Sequence, residues 1–589
     1  MAAERGPDDQ PAQVPIKGLR NLFGPASPEQ LFTANDRMAS PFEVPQSVRI
    51  LMRRLAFAMN TSPGWSDILP GAVRSDENPS LPSGYTYLLQ LMAHDLVESA
   101  LSLASTDGSR FGFSNARRLP LGLETIYGGG PHLCPYAYEI SAEHMRAPGL
   151  IPRTRFRLGR IDAPGAIMPD TDCSPFRDLG RGRPIGTSDE ALLTPPKGAD
   201  GSSRPFPLTE AFVADPRNDD HAIISQLTVL FQSFHNRIES LLKAAQDKLQ
   251  DGVGKPAEPD NLAYLRFTCA QLAIVHVYRG IIVNDVLRRI MHPRVFAYYA
   301  AAHFEPADSL GGVALEFTHG AFRFGHAMVR QSYLVNNDTQ QPLGRALEQS
   351  SQRSASFLPV SNRWIVDWRR FFPEPDQKVP AYNLSHRIRP RYATVLGDEA
   401  LFPRLDAAVD AAGLACRDLV SSCYAGLWSV PMLFGELRRG PLRDLLPDFT
   451  DWHGPLRGWL EDSTSRAAEK LTDEDIGDLI ADPPMPFFIL LEAALTDERA
   501  VVSRSGEGGG RHLGPLGSII VGETILGALR DNPIGFEDAG PALDLRLRKL
   551  GSDLIGDPGV LEPLAALRTM PDVVRFLGSS GGVAAGDPG

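Results

Sequence analysis

The chain has 589 residues, enough for one large catalytic unit or two to three packed ones, and that size favours an enzyme. Asp and Glu number 71 against 59 Lys and Arg, a formal charge of −12 with no long basic block, which makes nucleic acid and anionic membrane poor partners. The five cysteines (Cys134, Cys173, Cys269, Cys416, Cys423) are odd in number, scattered and free of any CxxC pair. Neither a disulfide scaffold nor a zinc ribbon is indicated, and they read as small buried hydrophobes.

Residues 1 to about 45 are polar and Pro-rich and read as a mobile tail, without the charged and apolar regions of a signal peptide. No later stretch reaches the roughly 18–20 apolar residues of a membrane span. The expectation is a soluble protein, cytoplasmic by default, with export by another route left open. The stretch LLQLMAHDLVES at 88–99 puts Gln90 and His94 four apart in an otherwise apolar helix, on one face about a turn from each other. Residues 146–215 read as long loops with one short hairpin. Asp219 and Asp220 are N-cap candidates for a helix over 221–248, whose apolar stripe runs from Ile223 to Leu242.

Further helices are expected at 262–290, 405–437 and 515–530. The Gly-rich SRSGEGGGRHLG at 503–514 lacks the GxxxxGK[ST] pattern and reads as a flexible loop. The end of the chain, 576–589, reads as a second mobile tail. The fold class is mainly α, with little β structure: one large helical domain over 46–575 that carries 146–215 as a loop insertion.

Most histidines have ordinary expectations. His235 falls near the apolar stripe of its helix and reads as a hydrogen-bonded core residue. His221, His292, His303, His453 and His512 lie near helix or loop ends and read as surface residues. His94 and His326 resist this treatment. His326 stands in GAFRFGHAMVR, among small and aromatic residues that let a flat ligand come close.

Five pieces, in chain order QLMAHD, NARRLPLGLETIYGGG, DPRNDD with LFQSFHNR, FRFGHAMVR and PPMPFFILLEAA with HLGPLGSIIVGETILGAL, resemble the animal-type haem peroxidase superfamily from about residue 40 to 535. The resemblance implies a haem peroxidase that reduces hydrogen peroxide through a ferryl state and oxidises a halide, thiocyanate or small organic donor. It implies His326 as the proximal axial ligand of the haem iron. His94 would be the distal acid–base, Arg217 the cation that stabilises the leaving oxygen, and Gln90 a hydrogen-bonding neighbour in the pocket.

Departures from the family pattern set further expectations. The position before the distal histidine, which in mammalian members forms an ester to haem, is Ala93, and the second ester position holds Asp220. Haem b held mostly or wholly without covalent bonds is therefore expected, with bromide, iodide or organic donors better bets than chloride. Asp95 keeps the position of a calcium ligand, but Gly122 and Glu124 replace its usual companions, so Asp95 is either a calcium ligand or a structural hydrogen-bond acceptor. The Asn that pairs with the proximal histidine in relatives has no counterpart near RDLVSSCYAGLWSVP, where Asp418 or Ser421 could substitute. Two rivals stay open: a fatty-acid oxygenase, whose tyrosine three residues before the proximal histidine is Arg323 here, and a non-catalytic haem or adhesion protein.

Overall fold

The computed structural model describes residues 44–61, 76–98, 115, 117–140, 153–160, 177–182, 210–250, 259–306, 312–350, 360–496, 509–531, 534 and 541–578. Most of the two expected tails (1–43 and 579–589), most of the 146–215 insertion, Cys173 and residues 503–508 lie outside these, whereas 576–578, expected as tail, close the helix Met570–Gly578. The principal helices are α1 Gln46–Thr61, α2 Gly84–Leu96, α3 Ala222–Gln250, α4 Pro259–Ile281, α5 Leu414–Tyr424, α6 His453–Arg466, α7 Met485–Leu495, α8 Pro515–Arg530, α9 Pro541–Ile555 and α10 Met570–Gly578. Strands are short and occur, among the described residues, as four two-stranded antiparallel pairs. They are β1 Glu77–Pro82 with β8 Leu384–His386, β2 Leu158–Arg160 with β3 Arg177–Leu179, β4 Arg181–Gly182 with β5 Glu210–Ala211, and β6 Ser332–Leu334 with β7 Gln340–Pro342. Two of these pairs form within the stretch expected to hold one hairpin.

The core is built around helices that are apolar on every side. α7 is buried from Met485 to Ala494 and α8 from Pro515 to Leu529, as expected of helices with no solvent face. Each fully buried Leu, Ile or Phe there contributes roughly 1.5–3 kcal/mol. Against the sequence reading, Leu262–Ile290 is long and apolar enough to cross a membrane, with 29 residues and a mean hydropathy of 1.2. Yet 78% of its most apolar window is buried inside the protein, and α4 packs between α3 and α9 as a core helix does.

Helix over 405–437 is the expectation that the structure corrects. The helix begins only at Leu414, because Gly413 takes a left-handed φ of 101° where a Cβ would lie 2.7 Å from the Gly397 backbone. It breaks again after Tyr424 and restarts at Val430, where the Ser429 hydroxyl accepts the Met432 N–H and Pro431 occupies the first turn.

Candidate active site

α2 owes its position to Gly84. An added Cβ there would lie 2.5 Å from the Phe372 ring, so only glycine lets the helix start donate its N–H to Phe371 O at 2.9 Å. Two residues further in, the side chains of Thr86 and Ser385 are bonded at 2.8 Å, which ties α2 to β8.

His94 is buried, with Nδ1 2.9 Å from Asn218 Oδ1. The Asn218 amide is oriented by its own donation from Nδ2 to Thr125 O at 2.9 Å. Its oxygen is therefore the acceptor, the His94 proton sits on Nδ1, and Nε2 keeps its lone pair. Burial, followed by the nearby Arg217 charge, pushes the His94 pKa down to about 4, so the ring is neutral at neutral pH.

Arg217 lies in the short helix Pro216–Asp219, capped by Asp215. Its Nε donates to Asp215 Oδ1 at 3.0 Å, and its Nη2 donates to Asp215 Oδ2 at 2.7 Å and to His94 O at 2.9 Å. Arg117 reaches the same two acceptors, with Nε 2.9 Å from His94 O and Nη2 paired to Asp215. Burial raises the Asp215 pKa, but the hydrogen bonds and charge of Arg217, with His94 and Arg117, outweigh it and hold the acid down at about 2. Arg117 is also paired with Glu98, Nη1 to Oε2 at 3.2 Å, so two carboxylates balance the two guanidiniums. The Arg117 side chain is 4% exposed and that of Arg217 36%, so Arg217 is the cation that faces outward.

The Gln90 Oε1 accepts from His221 Nε2 at 3.0 Å, and the His221 Nδ1 accepts the Ile224 N–H at 3.3 Å. Residues 215–221 thus supply a partner to each of the two polar positions on α2. His221 is buried, not on the surface, and it caps α3, the role the sequence assigned to Asp219 and Asp220. Asp219 instead pairs with buried Arg181 at 2.7 Å. Asp220 is part-buried, with its N–H donated to Arg217 O at 3.2 Å. His292 is buried too, capping the helix at Pro293–Ala301. His235 is fully buried, between Thr154 O at 2.7 Å and the Tyr127 hydroxyl at 3.1 Å.

Asp95 is fully buried and accepts the backbone N–H groups of Leu123 at 2.8 Å and Thr125 at 3.1 Å. Those bonds pin a loop in which Leu121 and Leu123 both hold the left-handed conformation, φ 56° and 57°, that costs a non-glycine residue energy. Burial pushes the Asp95 pKa up to about 6 against the two N–H groups and Arg117. Glu124 accepts from the Arg118 and Leu119 N–H groups. Among the described residues no three His, Cys, Asp or Glu side chains converge as a metal site. The Asp95 carboxylate is engaged as a loop anchor.

His326 stands on the tight turn Ala321–Met328, which packs against α2, α7 and α8. Phe324, Ala327 and Met328 around it are buried, whereas the His326 side chain is 31% exposed, and a Cβ added to Gly325 would meet nothing within 4 Å. Its Nδ1 lies 2.7 Å from Oδ2 of Asp418, a buried carboxylate on α5 that also accepts the Tyr392 hydroxyl at 2.8 Å and faces Arg323 at 3.5 Å. Burial raises the Asp418 pKa, but His326, Arg323 and Tyr392 outweigh it and hold the acid below the usual carboxylate range. An ionised carboxylate only accepts, so the His326 proton is on Nδ1. Ser421, the other partner weighed from sequence, bonds His319 at 2.6 Å.

Arg117, Asp215, Asn218, His221 and Tyr392 escaped the sequence reading as functional residues. Asn218 and His221 flank residues singled out there, and both lie on the segment that packs against α2. Cys134, Cys269, Cys416 and Cys423 are buried and free, and burial pushes the thiols of the last three up to about 12.

No family model and no curated protein matches this sequence. Among solved structures, the chain is similar to peroxidase A from Dictyostelium discoideum, with a TM-score of 0.53 and 14% identity over 95% of each chain. It also aligns with fatty acid alpha-dioxygenases from Arabidopsis thaliana (TM-score 0.43, 11% identity, 95% of this chain and 77% of that one) and Oryza sativa (0.45, 11%, 95% and 81%). With its mainly helical core and its likeness over 95% of both chains, this chain shares the fold of the Dictyostelium enzyme.

Proposed function

We propose that this chain is a haem-dependent peroxidase that reduces hydrogen peroxide and oxidises a halide, thiocyanate or small organic donor. The observation that carries this reading is a pair of histidines, on segments packed together, whose Nδ1 protons are each committed to a fixed acceptor. Among the described residues neither Nε2 has a hydrogen-bond partner, and open space lies beside Gly325, so the donors fit a planar iron-bearing group. His326 would hold the iron through Nε2, with Asp418 fixing its tautomer. No carboxylate is available at Ala93 for an ester, so haem b would be held without a covalent bond there. When bound, the haem would supply the two electrons that reduce peroxide and would regain them from the donor.

The protein's own groups supply the proton handling. Neutral His94 takes a proton from peroxide at Nε2 and returns it to the departing oxygen. Arg217, held by Asp215 and His94 O, offers a fixed positive charge to that oxygen without reorganising. Gln90, with its carbonyl held by His221, has its amide N–H groups available to a bound water or anion.

Haem titration of the purified protein, followed by visible spectra before and after one equivalent of hydrogen peroxide, tests this reading. A stoichiometric ferric spectrum that changes on peroxide and reverts with bromide or a phenol supports it; haem that binds and ignores peroxide removes it. A second reading is a fatty-acid oxygenase on the same fold. Tyr392, with its ring 5.8 Å from that of His326, would have to serve in place of the tyrosine replaced by Arg323. Oxygen uptake with a long-chain fatty acid, lost in Tyr392→Phe, would favour it.

A further inference from the structure

Asp418 carries three donors in a dry place. Its Oδ2 accepts from His326 Nδ1 at 2.7 Å and from the Tyr392 hydroxyl at 2.8 Å, while its Oδ1 faces the Arg323 guanidinium at 3.5 Å. Arg323 is itself aimed, with its Nε donating to Thr318 O at 2.9 Å. Tyr392 is buried and set edge-on to the His326 ring.

A carboxylate that accepts from a histidine alone draws the shared proton toward itself and gives the ring imidazolate character, which makes it a stronger electron donor to a metal. Each further donor on the same carboxylate stabilises its ionised form and weakens it as a proton acceptor. Arg323 is permanently charged, so together with Asp418 it sums to zero. The Tyr392 hydroxyl competes for the very oxygen that His326 uses.

We infer that Arg323 and Tyr392 are positioning residues that neutralise Asp418, so that His326 acts as a neutral imidazole ligand although its partner is a carboxylate. This rests on the proposed ligation of haem by His326. The three side chains together reproduce the electrostatics of a neutral amide partner, and the ligand strength of His326 is set by groups that touch neither the iron nor the substrate.

The test uses the full-length protein loaded with haem b. Haem stoichiometry is measured first, then the ferric/ferrous reduction potential and the iron–histidine stretching frequency by resonance Raman. The variants are Arg323→Gln, Arg323→Lys, Tyr392→Phe and Asp418→Asn, with the first and third also made in the Asp418→Asn background. Arg323→Gln is expected to lower the potential by the equivalent of about tenfold in the ferric-to-ferrous ratio, about 59 mV for one electron, and to raise the stretching frequency. Tyr392→Phe shifts both readouts the same way by less, Arg323→Lys stays near wild type, and all shifts vanish in the Asp418→Asn background. The inference is overturned if loaded Arg323→Gln and Tyr392→Phe leave both readouts unchanged, or if their shifts persist without the Asp418 carboxylate. Wild-type protein that takes up no haem overturns the ligation reading, and the inference with it, a result distinct from a loaded protein whose potential does not move.

Discussion

His94 and His326 stand on segments that pack together, yet the protein treats the two rings in opposite ways. His94 is 8% exposed, bonded to a neutral amide and flanked by two arginines, a combination that repels a proton. The His326 side chain is 31% exposed and bonded to an ionised carboxylate, which anchors its Nδ1 proton. The partner on Nδ1 thus sets two chemically identical side chains apart: an amide leaves one uncharged, as the proposed base requires, and a carboxylate holds the other in one tautomer and orientation, as the proposed ligand requires.

The contrast predicts which changes hurt what. The largest effect belongs to His94→Leu, which removes the proposed acid–base group. Peroxide turnover should fall by about 10²–10⁴ while haem uptake stays intact, and a parallel loss of haem binding would break the division of labour. Asp418→Ala strips the orienting group from His326 and should weaken haem binding about 10–100-fold, read by competition with a haem-binding protein of known affinity. Asn218→Ala should cost about tenfold in peroxide turnover by freeing the His94 ring to rotate, with haem affinity unchanged.

The smallest effect is on stability of the haem-free protein. Burial pushes His94, His235 and His386 down to about 4 and His319 to about 3, from an ordinary 6.5. The unfolded chain therefore binds more protons between those values, and stability should fall as pH drops from 6.5 toward 4. Buried Glu492, which accepts the Leu516 and Gly517 N–H groups at the start of α8, is pushed up to about 7 and acts in the opposite sense, its contribution being lost as pH rises from 4.5 to 7. Glu492→Gln should accordingly make the loss on acidification steeper, as urea midpoints at pH 7 and pH 5 would register.

What was legible in the sequence is what local patterning encodes. α3 and α8 were visible in the spacing of their apolar residues, and the motifs around His94, Arg217 and His326 were visible as short strings. Asp418 could be weighed only beside Ser421, because its pairing spans 92 residues and that of His94 with Asn218 spans 124. Periodicity carries no information across such distances. The break at Gly413 was hidden for a related reason: its left-handed turn is imposed by the backbone of Gly397, a neighbour in space and not in sequence. His221 was misplaced because proximity to a helix end suggests exposure, whereas this helix begins inside the protein.

The pairing of β1 with β8 acts as a leash. Ser385 is bonded to Thr86 on α2, and only seven residues later Tyr392 is bonded to Asp418, so the chain between them can extend to no more than about 25 Å. This short strap limits how far α2, which carries His94, and α5, which carries the partner of His326, can separate. On the proposed reading, a donor too bulky to pass between these segments would give up its electrons at their edge, and donor choice would turn on how closely it can park there.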